Sequence, residues 1–295
     1  MQVGDKVLVS SMDPITGAVN RIGWLAMNIS ANDVATFGVQ PLFFSSCILL
    51  PEGSNERIVQ IICDQIDKAA KELGIAVIGG HCEVTPGIEH PIVVGYSIGI
   101  TERGRYVTSG GAKPGDQLIL TKVIGIEGTA ILASDRHEVL MPKLGSSILK
   151  NAEGFFDHIS VVKEAVSAFE TGGVTAMHDP TEGGVAGGIH ELADASRVGV
   201  KVFEEKMSIA PETLKVCEFF KIDPLQLVSS GALLISAKAD STDKILERLT
   251  SNNVKASVIG EILHSPQDRI LVRKDGSAVK LVRPVYDHLW LALER

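Results

Sequence analysis

The chain opens with "VGDKVLVSSMDPITGA", where apolar and polar residues alternate. This predicts a strand that ends in a turn at Asp13–Pro14. The period then changes. In "NRIGWLAMNISANDVATFG" the apolar residues Ile22, Leu25, Ala26 and Ile29 fall at helical spacing, and the pattern stops at Gly38. "QPLFFSSCILLP" reads as a strand with hardly a polar position. A second helix follows in "SNERIVQIICDQIDKAAKELG", with Ser54 as its N-cap and Gly74 at its C-terminal end. "IAVIGG" and "HPIVVGYSIGITERG" are two further strands, and they flank a glycine loop that carries His81, Cys82 and Glu83.

Gly110, Gly111, Pro114 and Gly115 interrupt this pattern, and a new strand starts at Gln117. A domain boundary is expected within residues 105–116, giving an N-terminal domain of residues 1–110 and a C-terminal domain of residues 111–295. Helices are predicted from about Glu127 to Ser134 and from His158 to Thr171. Another follows the loop "HDPTEGG", and a last one lies in "DSTDKILERLTSNNV". Helices and strands are intermingled without strict alternation, so the fold class expected is α+β.

The loop "VIGGHCEVTPG" admits several chemistries. It is not G-x-G-x-x-G, and no P-loop signature occurs in the chain, so neither nucleotide fingerprint is present. Zinc is disfavoured because His81 and Cys82 have no further soft ligands at recognisable spacing. A nucleophilic Cys82 needs a neighbouring base or cation, and His81, adjacent on an extended chain, points to the opposite face. Asp13, Asp33 and Glu83 come from three elements and are the right residue type for Mg²⁺. On spacing alone they serve equally as turn, helix and loop residues. The second glycine loop, "HDPTEGGVAGG", places Gly183 and Gly184 at a helix start, where amide groups suit anions; tight helix packing explains the glycines as well. "GIEG", residues 125–128, has the same two readings.

Composition narrows the partners. A net charge of -8 argues against nucleic acid, which needs a basic surface. The four cysteines show no Cys-x-x-Cys spacing and no secretory leader precedes them, which suits a reduced, cytoplasmic compartment. The apolar run from Pro41 to Pro51 is too short to span a bilayer, so no membrane association is expected.

Three segments, "NISANDVATFGVQPLFF", "LGIAVIGGHCEVTPG" and "MHDPTEGGVAGGIHELA", resemble the aminoimidazole ribonucleotide synthetase (PurM-like) superfamily. "VCEFFKIDPLQLVSSGALLI" is similar to a stretch of its hydrogenase-maturation branch, HypE, and of the archaeal AIR-synthase-related proteins. The resemblance spans nearly the whole chain. It implies a two-domain α+β fold whose N-terminal sheet forms a homodimer interface, with ATP and Mg²⁺ bound on that domain and a C-terminal domain that closes over the ligand. Carried over, the cofactor-binding residues are Asp13, Asn32, Asp33, Gly79, Gly80, His81, Glu83, Gly183 and Gly184, with Asp13, Asp33 and Glu83 on the metal.

Four departures qualify the match. The family's Gly-rich, Asp-bearing segment upstream of the first strand is not in this sequence. His81 stands where an acid usually follows the double glycine. No cysteine lies beyond Cys217, so the terminal-cysteine chemistry of HypE is not expected, and Glu182 replaces an arginine common in its "DPTRGG" loop. The function expected is an ATP- and Mg²⁺-dependent enzyme that activates an oxygen of a small substrate by phosphorylation. The alternatives are a non-catalytic nucleotide-binding dimer and a HypE-like maturation factor acting with a partner protein.

Overall fold

The computed structural model describes residues 1–16 and 20–294. The chain divides into two compact units: Met1–Ala35 with Val39–Tyr106, and Thr36–Gly38 with the residues from Val107 on.

The first unit contains β1 (Gln2–Val3), β2 (Lys6–Ile15), α1 (Ile22–Ala35), β3 (Pro41–Leu50), α2 (Glu56–Leu73), β4 (Ala76–Val84) and β5 (Ile92–Glu102). Its strands make one sheet in the order β1-β2-β5-β3-β4. Helix α1 is apolar nearly all round and buries every residue but Asp33, because it lies between the sheet and α2. Gly95 of β5 makes that contact possible: a Cβ there would stand 2.4 Å from the carbonyl oxygen of Ala26. Helix α2 is amphipathic, burying Ile62, Ile66, Ala69 and Ala70 along one stripe. Gly74 ends it in the left-handed conformation, at φ 68°.

Several elements differ from the sequence expectation. Strand β2 does not turn at Asp13–Pro14 but runs through both to Ile15, paired with β5. Strand β1 pairs with β2 only as far as Val7, so at Pro14 the strand has a sheet neighbour on the β5 side alone, the edge setting in which proline is tolerated in a strand. The N-cap of α2 is Asn55, whose side chain accepts the Ile58 N–H at 3.3 Å, while Ser54 instead donates to the Pro51 carbonyl. The glycine loop is no loop. Gly79, Gly80, His81 and Glu83 lie within β4, an edge strand paired in parallel with β3 as far as Leu50 and Val84, with a register shift beside Gly79.

The second unit contains β6 (Gln117–Thr121), α3 (Ile126–Asp135), α4 (His137–Leu144), α5 (Ser146–Glu153), α6 (Val162–Thr171), β7 (Val174–His178), α7 (Gly184–Ser196), β8 (Gly199–Phe203), α8 (Pro211–Phe220), β9 (Leu234–Ala237), α9 (Thr242–Ser251), β10 (Ala256–Leu263), β11 (Arg269–Val272), β12 (Ala278–Lys280) and α10 (His288–Leu293). The helix expected from His158 begins only at Val162, after a short 3₁₀ turn. The strands form a sheet in the order β12-β11-β8-β10-β6-β9-β7, and α7 packs its apolar side, Val185, Ile189 and Leu192, into the core beside Leu118, Val200 and Leu234. The mixed α+β architecture with two sheets is the one expected.

Candidate functional site

On β2, side chains two residues apart share a face. Ser11 and Asp13 therefore point the same way, toward α1. The Ser11 hydroxyl lies 2.5 Å from Asp33 Oδ2 and 3.3 Å from Asp13 Oδ2, tying the two carboxylates to one hydroxyl. All three residues are half-buried. Two carboxylates and a hydroxyl are hard oxygen donors, the set that suits Mg²⁺ with water or phosphate oxygens completing its shell. Sequence reading missed Ser11; its place two residues before Asp13 on a strand was the available signal.

Glu83 does not join them. The register runs Asp13 to Gly95, Gly95 to Ser46, and Ser46 to Gly80, so Asp13 and β4 are three strand spacings apart, about 14 Å. Glu83 also faces the other way, on the face shared with Cys47 and Val94, where its carboxylate accepts from His81 Nε2 at 3.1 Å when that nitrogen carries the proton. Among the described residues, no group of three acidic, histidine or cysteine side chains converges as a metal site. The expected triad is thus reduced to Asp13 and Asp33. Asn32 is fully buried and presents no surface to a ligand.

The double glycine borders two depressions, one on each face of the sheet. Between β4 and α2 lies a cavity of about 400 Å³ walled by Ile48, Ile66, Val77, Cys63 and Cys82. On the other face an open hollow of about 340 Å³ is lined by Met12, Cys47, His81, Val94 and Tyr96. Among the described residues of the unit no element covers that apolar face: Met12 is 62% exposed and Ile100 44%.

The helix starts in the second unit are already committed. The Gly183 N–H donates to Asp287 Oδ2 at 2.7 Å, and the Gly184 N–H donates to the Thr181 carbonyl at 3.0 Å. In "GIEG" the Gly125 N–H donates to Ser229 Oγ at 2.9 Å. Neither start offers its first amide to an external anion in this conformation. Beside α7 lies a polar cavity of about 180 Å³ lined by Glu182, His190, Glu191, Arg283, Tyr286 and Asp287. Burial pushes the Asp287 carboxyl up to about 6, against the N–H groups of Leu289, Gly183 and Val228, which favour the ionised form. His178 Nε2 and Glu191 Oε2 pair at 2.7 Å near this cavity.

Comparison with known proteins identifies the family. The chain is 31% identical over 266 residues to a hydrogenase expression/formation protein of Methanocaldococcus jannaschii, covering 88% of this chain and 76% of the relative. It is 29% identical over 256 residues to the carbamoyl dehydratase HypE of Rhizobium leguminosarum bv. viciae, covering 85% and 71%. A chain from a solved HypE–HypF complex superposes with a TM-score of 0.81 at 26% identity, covering 96% of this chain and 92% of that one. HypE solved in complex with ATP shares the fold, with a TM-score of 0.81 at 22% identity and coverage of 94% and 85%. The AIR synthase related N-terminal domain model matches residues 1–101, and the C-terminal domain model matches residues 113–273. With both domain models matched in order and the two-sheet α+β architecture in place, the chain belongs to the AIR synthase related protein family, on its HypE-like side.

Proposed function

We propose that the protein is a cytoplasmic ATP- and Mg²⁺-dependent enzyme that activates an oxygen of a small substrate by phosphorylation. The single observation that carries this reading is the pairing of Asp13 and Asp33 through Ser11. Family membership and the relatives' ATP complex and dehydratase name support it. A bound Mg²⁺ supplies charge neutralisation on phosphate oxygens. The chain's part is to hold the two carboxylates on one side of the sheet. Ser11 fixes their orientation, and the neighbouring α1 backbone, seated on Gly95, keeps them from drifting apart.

The same reading includes a homodimer built on the uncovered face of the first sheet. Met12, Ile100 and the half-exposed Val94, Tyr96 and Ile98 make a contiguous apolar surface of the kind that marks an interface. A second reading, a maturation factor that acts with a partner protein, is favoured by one finding: the 26%-identical HypE chain was solved in complex with HypF.

The test is incubation with ATP, Mg²⁺ and a panel of small metabolites, following ADP release. Release stimulated by a panel member, and lost in Asp13→Asn, is expected. ATP binding without ADP release under any condition would support the non-catalytic dimer instead. Among the described residues no helix is long and apolar enough to cross a membrane.

A further inference from the structure

The start of α7 presents Gly183, Gly187 and His190 along one stripe, at positions i, i+4 and i+7. The two glycines leave space above the helix, and the polar cavity of about 180 Å³ lies there, bounded across from α7 by residues 283–287. That wall is firmly anchored. Asp287 accepts the N–H groups of Gly183 and Leu289 at 2.7 Å each, and Leu289 and Ala292 are buried. A cavity of roughly 150 Å³ holds benzene, so this one suits a molecule of about six to eight non-hydrogen atoms.

His190 tells what kind of molecule. It is 4% exposed, and its Nε2 lies 3.2 Å from the Leu281 carbonyl oxygen. A carbonyl only accepts, so Nε2 carries the ring proton and Nδ1 is left as a bare acceptor. Burial first, then the charge of Arg283, holds this ring below the ordinary histidine range, so Nδ1 stays unprotonated at neutral pH. Among the described residues Nδ1 has no donor, and it is not one of the sealed polar atoms of the core, so it is open to the cavity that His190 lines. A deeply placed acceptor of this kind calls for a donor from a ligand.

We propose that this cavity is a binding site for a small organic cation bearing N–H donors, an alkylammonium or a guanidinium, which donates to His190 Nδ1 and is balanced in charge by Glu182. Three carboxylates line the cavity against one guanidinium. Asp287 spends both oxygens on N–H groups, and Glu191 pairs with His178 at 2.7 Å. Arg283 is matched by Asp194. Glu182 is exposed, and among the described residues it has neither a hydrogen-bond donor nor a cation as partner. An anion is disfavoured here, because the Gly183 N–H at the helix start is already taken by Asp287. A neutral amide satisfies Nδ1 but leaves the Glu182 charge unpaired. A metal ion lacks its ligands, since among the described residues no three acidic, histidine or cysteine groups converge. The aromatic ring of Tyr286, at the cavity wall, adds a face that suits a cation.

The test uses the full chain labelled with ¹⁵N-histidine and long-range ¹H–¹⁵N spectra of the imidazole rings at pH 7.5. The probes are propylguanidinium and pentylammonium, with butanamide and butanoate as neutral and anionic counterparts at matched ionic strength. Both cations are expected to move one Nδ1 signal saturably, the signal that is missing in His190→Gln. Glu182→Gln should weaken both cations about tenfold, the worth of one charge-assisted hydrogen bond. Asp33→Asn, in the other unit, should bind them like wild type. The proposal is overturned if neither cation moves the His190 signal, if butanamide or butanoate binds as tightly as the cations, or if Asp33→Asn rather than Glu182→Gln weakens them. Should His190→Gln fail to fold, the Glu182→Gln titration decides alone, because that side chain is exposed and supports no packing.

Discussion

Replacing Lys122 by methionine tests how the second unit handles its most deeply placed ion pair. Lys122 Nζ donates to the carbonyls of Gly231 at 2.7 Å, Ser160 at 2.6 Å and His158 at 3.1 Å, and stands 3.1 Å from Glu164 Oε2. Glu164 is 2% exposed, and its other oxygen accepts the Thr121 hydroxyl at 2.7 Å. Burial pushes Lys122 down and Glu164 up, while each holds the other in its charged form. Methionine matches the length of the stem but leaves three carbonyls and one carboxylate without their donor. Removing one partner of such a pair costs about 3–5 kcal/mol, and protonation of Glu164 limits the loss at low pH. The variant's stability should therefore fall further as pH rises, because its carboxyl is pushed up more strongly in the folded state. Adding Glu164→Gln removes the stranded charge while keeping an acceptor for Thr121, and should restore about 1–2 kcal/mol. The assay is urea unfolding at pH 7.5 followed by circular dichroism, for wild type, both single variants and the double. A cost below about 1 kcal/mol for Lys122→Met, or costs that simply add within about 0.5 kcal/mol, would refute the reasoning.

Other expectations concern packing, pH and assembly. Gly95→Ala places a methyl group against the Ala26 carbonyl oxygen, a backbone atom that cannot swing aside, and should cost about 1–3 kcal/mol in urea unfolding. His178 is lowered by burial but raised more by Glu191 and Asp179, for a net upward shift. Stability from that pair is present below the ordinary histidine pKa and lost as pH rises through the raised one; His178→Gln should flatten the melting temperature across that window. Sedimentation at micromolar concentration should show a dimer, and Tyr96→Glu on the uncovered apolar face should dissociate it; a monodisperse wild-type monomer would contradict the dimer. Cys82→Ser should leave nucleotide affinity intact.

Elements with a strong local signal were legible in the sequence. The stripe of α2, the left-handed Gly74 and the glycine start of α7 all follow from spacing and residue type. What misled was local chemistry overridden by pairing. Pro14 reads as a turn until the unpaired strand edge beside it is known, and Gly79–Gly80 read as a loop until β3 supplies a ladder for them. The candidate site was half legible for the same reason. Asp13 and Asp33 were marked by the family resemblance rather than by spacing, and the facing of Glu83 depends on the order of strands, which no local pattern encodes. The Asp287–Gly183 contact joins residues 104 positions apart and left no trace in either segment.

The central claim is that Asp13 and Asp33 hold Mg²⁺ for a nucleotide, and a thermal-shift matrix of ATP against Mg²⁺ tests it most directly. Each ligand relieves charge that the other leaves unbalanced, so together they should raise the melting temperature of wild type by more than the sum of their separate shifts. At saturation near a hundred times the dissociation constant, linkage alone contributes about 2.7 kcal/mol. Asp33→Asn keeps an acceptor for the Ser11 hydroxyl and should melt like wild type without ligand, yet lose most of the coupling. A wild type whose shifts are additive and equal to those of Asp33→Asn would contradict the account.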